Sequence, residues 1–77
     1  MKELISVIVK AIVDNPDEIK ITETDSDHTA VIKLQVAKSD IGKVIGKKGR
    51  NIQSIRTILN AVAAKNHKRA VLEIQED

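Results

Sequence analysis

Ile41-Gly42-Lys43-Val44-Ile45-Gly46-Lys47-Lys48-Gly49-Arg50-Asn51-Ile52 sets two glycines around a pair of lysines, with apolar residues on either side. Ser39 or Asp40 stands where it can cap a short helix over 40–45, with Ile41, Val44 and Ile45 directed inward. Gly46 and Gly49 break that helix, because glycine permits backbone angles closed to other residues. Downstream, Ile52, Ile55, Leu59 and Val62 recur at helical spacing and predict a second helix over 50–64. Two helices therefore meet at a four-residue corner, from which Lys47 and Lys48 must point outward. The free amides that open the second helix add a positive dipole end, which favours an anion at this spot. Lys43 before the corner and Arg50 after it add further charge. Such a site suits a sugar-phosphate backbone better than a lone metabolite; the plain alternative is a tight helix corner with incidental lysines.

Working outward, the N-terminal side carries Leu4, Ile8, Ala11 and Ile12 on one helical face, widened by Ile5, Val9 and Val13. This predicts a helix over 3–14 that ends at Asn15-Pro16, since the residue before proline is pushed out of the helical region. From Ile19 the period becomes two: Ile19 and Ile21 alternate with Lys20 and Thr22. After the polar turn Thr24-Asp25-Ser26-Asp27-His28, Ile32, Leu34 and Val36 alternate with Lys33 and Gln35, so the two runs form an antiparallel hairpin. Beyond the second helix, 65–68 connect to a third strand in which Ala70, Leu72 and Ile74 alternate with Val71 and Glu73. The order is α-β-β-α-α-β, an α+β fold in which a mixed three-stranded sheet is covered by three helices on one face. Two helices separate the second and third strands, so these can run parallel through a crossover.

The glycine-lysine run closely resembles the signature of the KH domain, an apolar-Ile-Gly-x-x-Gly-x-x-Ile sequence between two helices, here Val44 to Ile52. The resemblance extends over residues 1–77 as a single domain. The β-α-α-β core spans about 29–75 and the preceding helix and strand about 3–24, an arrangement similar to type II. Its small size resembles the bacterial single-KH RNA-binding proteins of the KhpA type. The resemblance implies a groove for about four unpaired nucleotides, with the loop on the phosphates and aliphatic side chains beneath the bases. It assigns the clamp to Gly46, Lys47, Lys48 and Gly49, flanked by Gly42, Lys43, Ile45 and Arg50, with Ile41, Val44, Ile45 and Ile52 shared between core and groove floor. The implied role is RNA binding in post-transcriptional regulation or RNA chaperoning. A lone groove binds weakly, which makes self-association or a second KH-containing protein an expected partner.

Charge supports a polyanionic partner. Residues 1–40 hold five Lys against eight acids, a balance of −3, and 41–70 hold eight basic residues and no acid. The last seven residues return −3 through Glu73, Glu76 and Asp77. The basic block reads as one concentrated cationic surface, or more plainly as a solvated face.

The 77 residues allow one domain, and with no Phe, Trp or Tyr its core must be Ile, Val, Leu and Ala. An aromatic platform for stacked bases is excluded. Cysteine is absent, and His28 and His67 are far apart in sequence, so no metal or other cofactor is expected. Ser6, Ser26, Ser39 and Ser54 have no recognisable base, and Gly46 follows Gly42 too early for a nucleotide-binding phosphate loop; no enzyme activity is expected. Neither a secretory leader nor a membrane span is read in the sequence, and a cytoplasmic location is expected. On the second helix, Ser54, Thr57, Ala61 and Ala64 form an uncharged strip opposite Ile52 that suits close approach of a second copy. Two other readings therefore stay open: a dimerisation or adaptor module that acts through protein association, and a binder of single-stranded DNA.

Overall fold

In a computed structural model, residues 1–75 are described; Glu76 and Asp77, counted in the acidic end, lie outside them. The elements run α1 (Lys2–Lys10), β1 (Lys20–Asp25), β2 (Thr29–Gln35), α2 (Ile41–Ile45), α3 (Arg50–Lys65) and β3 (Arg69–Gln75), with single 3-10 turns at Pro16–Glu18, Lys38–Asp40 and Lys47–Gly49. The sheet order is β1-β2-β3. β1 pairs antiparallel with β2, and β2 parallel with β3, from Thr29 opposite Arg69 to Gln35 opposite Gln75. The α-β-β-α-α-β reading and the mixed sheet hold.

Alternation along the strands decides what is covered. Ala30, Ile32 and Leu34 of β2 and Leu72 of β3 are buried, against Ile5 and Val9 of α1, Val44 of α2 and Ile52, Ile55 and Leu59 of α3. The core is wholly aliphatic. Ala63 takes the fourth buried position of α3, where Val62 was expected; Val62 is half-buried. α3 also holds the outer edge of β3. Arg69 N faces inward to His28 O, whereas Ala70 N donates to Asn60 Oδ1 at 3.1 Å and Leu72 O accepts from Arg56 Nη2 at 3.3 Å.

Two boundaries differ from the sequence reading, for one physical reason. α1 ends at Lys10 rather than at residue 14, and Asp40 does not cap α2. The amides of Asp14 and Asn15, which a longer helix would bond to its own carbonyls, donate instead to the Asp40 carboxylate at 3.2 and 3.0 Å. Ser39 is no cap either; its hydroxyl accepts from Asn15 Nδ2.

α3 ends in a six-to-one reverse turn, with Lys68 N bonded to Ala63 O and His67 N to Ala64 O. His67 sits at the left-handed position of this turn, with φ 58°. A glycine suits that position better, so His67→Gly should stabilise the fold by about 0.5–1 kcal/mol after glycine's extra unfolded-chain freedom is counted. A thermal melt should rise by roughly 2–8 °C; a fall would show that the imidazole itself holds the turn.

Candidate nucleic-acid interface

The corner between α2 and α3 is built from three departures from ordinary backbone within four residues. Gly46 has φ 76° and ψ 172°, Lys48 φ 56° and ψ 27°, and Gly49 φ 73° and ψ 16°. A Cβ on Gly46 would lie 2.6–2.8 Å from the side chain and backbone nitrogen of Asn51, so the helices approach through a space only glycine leaves. Asn51 completes the joint: its Nδ2 donates to Lys43 O at 2.9 Å, satisfying a carbonyl at the end of α2. Its position is unspecified in the glycine-lysine signature, and only the contact with the preceding helix reveals its role. Lys48, a side-chain-bearing residue in the left-handed region, is the strained member of the corner.

Around this corner Lys47, Lys48 and Arg50 are exposed, and so is Gly42. A Cβ on Gly42 would meet nothing within 4 Å. Ile41 and Ile45 are half-buried and present apolar surface beside the loop. Val44 does not share in that surface, because it is completely buried in the core; Ile52 retains only 6% exposure. An open groove of about 670 Å³ lined by Lys2, Lys10, Ile19 and Lys20 shares no residue with the corner.

The basic block is not one surface. The sixteen residues of α3 span about 24 Å. They carry Lys65, Lys68 and Arg69 to the far end, where Lys68 pairs with Asp25 at 3.6 Å. Arg56 lies between, turned to the β3 edge. Lys43 is also engaged, in an ion pair with Asp14, while its Nζ stands 4.0 Å from Asp40 Oδ1. The hydrogen bond that Lys43 donates to the Asp14 carboxylate raises the lysine's pKa above its ordinary value, helped by both carboxylate charges against the effect of burial.

Asp40 is 1% exposed. Burial pushes its pKa up, but the hydrogen bonds from Asp14 and Asn15 together with the Lys43 charge outweigh this and leave it below 3.8. A lowered carboxylate pKa adds stability that is fully present above the unfolded value and is lost as pH falls below it through the folded one. The sequence placed Asp40 at a helix start; nothing local marked it as the anchor of a segment 25 residues away.

Among the described residues no group of three or more His, Cys, Asp or Glu is placed to hold a metal, and no helix is long and apolar enough to cross a membrane. The exposed strip of α3 keeps all four expected members, Ser54, Thr57, Ala61 and Ala64, at the surface. Ile58, 44% exposed, lies on the same side.

Comparison with known proteins follows the same residues. The chain is 51% identical to the RNA-binding protein KhpA of Chlamydia pneumoniae, over all of its own length and 99% of the relative's. It is 46% identical to that of Clostridium acetobutylicum, over 96% of this chain and 99% of the relative, and 45% identical to that of Aquifex aeolicus, over 99% and 96%. No solved structure matches. The family described as KhpA/KhpB, KH domain matches residues 2–74, which takes in α1, the glycine-lysine corner and nearly all of β3, and the chain belongs to that family.

Proposed function

We propose that this protein binds single-stranded RNA, laying the sugar-phosphate backbone of about four nucleotides over the Gly46–Gly49 corner. The observation that carries the reading is the pair Lys47 and Lys48, exposed on a corner whose flanking glycines, Gly46 and Gly49, are both held at positive φ. Arg50 adds a third cation, and Gly42 leaves room for a chain to pass close to α2. The relatives named RNA-binding protein support the same ligand class. The role is non-catalytic, in post-transcriptional regulation or RNA chaperoning in the cytoplasm. Titration of labelled oligonucleotides tests it: a single strand should bind more tightly than a duplex of the same sequence, with log K falling against log salt at a slope near −3 for about four phosphates. Equal affinity for the duplex would remove the reading, and equal affinity for a DNA single strand would widen it.

A second reading, self-association, is favoured by Ile58 standing exposed beside the uncharged strip. A two-fold pairing of α3 with its copy covers that isoleucine and leaves both lysine corners free. Ala61→Asp should convert a dimer in light scattering to a folded monomer and weaken RNA binding through lost avidity. A parent that stays monomeric at high micromolar concentration removes the dimer and leaves the strip to another protein, a second KH-containing chain among the candidates.

A further inference from the structure

We propose that Asp14 is an internal competitor for the RNA phosphate at Lys43, so that this cation joins the binding surface only when a phosphate displaces the carboxylate. The proposal rests on the RNA-binding reading above and concerns how the same site is regulated.

Lys43 belongs to α2, three residues before the corner, but its ammonium is paired with Asp14. Both partners remain accessible, with side-chain exposures of 46% for Lys43 and 72% for Asp14. A phosphate can therefore reach the ammonium and an outgoing carboxylate can turn to water. Asp14 is also not loosely placed. Its own amide donates to buried Asp40, and the next residue gives Asp40 two more hydrogen bonds, from Asn15 N at 3.0 Å and Nδ2 at 3.1 Å. The buried carboxylate thus fixes the backbone that presents the exposed one.

Magnitude decides whether such a contact can act as a gate. A solvent-exposed ion pair is worth no more than about fivefold in an equilibrium constant. That is too little to keep Lys43 from a polymer already held by Lys47, Lys48 and Arg50. It is enough to discourage a small anion that has only Lys43 to gain. Asp14 therefore lowers the affinity of any ligand that engages Lys43 by that modest factor, a loss that a polymer held by several cations survives and a small anion bound through Lys43 alone does not.

A double-mutant cycle with an oligouridine single strand as probe tests this. Asp14→Asn should tighten binding about threefold, within the ceiling of an exposed pair. In a Lys43→Gln background the same substitution should change affinity little, since its effect runs through Lys43. Asp17→Asn, which removes an equal charge from the nearby Pro16–Glu18 turn, measures the long-range contribution and should have the smaller effect in the parent. An equal gain from Asp14→Asn in both backgrounds, or no gain beyond that of Asp17→Asn, overturns the competitor. A parent that binds the probe while the cycle stays flat removes only this inference; a parent that binds no RNA removes the RNA-binding reading as well.

Discussion

Replacing Lys47 and Lys48 together by Asp is expected to weaken single-stranded RNA binding by roughly a hundredfold while the fold persists. Each phosphate contact releases about 0.7 of a counterion, worth about fourfold in affinity near 0.15 M salt. Losing two contacts costs roughly fifteenfold, and replacing attraction by repulsion at both positions multiplies that again. The salt slope should flatten from near −3 to about −1.4 as the contact number falls by half. Stability should hardly move, because both lysines are exposed and neither pairs with an acid among the described residues. Aspartate also tolerates the left-handed angles of Lys48 better than most residues. Filter binding across a salt series, with a circular dichroism melt of each variant, gives the answer. Affinity within a few-fold of the parent would mean that the corner is not where RNA binds.

Gly46→Ala should have the larger effect on stability, a loss of about 2–4 kcal/mol. The angles φ 76° and ψ 172° belong to a region essentially reserved for glycine, where another residue costs roughly 1–3 kcal/mol. The new Cβ must also displace Asn51, whose backbone nitrogen would stand only 2.8 Å away, and with it the hydrogen bond to Lys43 O. Against a total of about 5–10 kcal/mol for a small domain, this leaves a visibly destabilised protein. The other two glycines supply the controls. Gly49→Ala meets only Ile52 Cγ2 at 3.9 Å, so it should cost no more than about 1–2 kcal/mol for its left-handed angle. Gly42→Ala, helical and open to solvent, should stabilise by about 0.5–1 kcal/mol. Urea denaturation of the three variants orders them; a Gly46 variant as stable as the parent would show that the corner relaxes freely.

The element order, the hairpin and the glycine-lysine corner were legible because each has a local cause: period two, period three to four, and glycine between two helical patterns. The KH resemblance added the type II arrangement and the assignment of the clamp to the corner. What escaped was carried by contacts across the chain. The chain after α1 is held at Asn15 by Asp40, 25 residues on, whereas the sequence offers Pro16 as the nearer stop. Val44, directed inward by the sequence pattern, was given a share of the groove floor by the resemblance alone, and it lies wholly in the core. The eight basic residues are contiguous only in sequence: helix length divides them, and Asp14 and Asp25, from the acidic half, neutralise members at either end.

The side chains of Arg56 and Asn60 have a bearing on solubility. A sheet's outermost strand offers unpaired amides and carbonyls to any passing strand, the usual route to fibrous aggregation. In β3 two of these groups are already occupied, Ala70 N by Asn60 and Leu72 O by Arg56, and the helix that supplies both side chains is the one beside them. An incoming strand would have to evict both before it could pair there. Sheet extension is thereby discouraged along β3, the edge that α3 flanks.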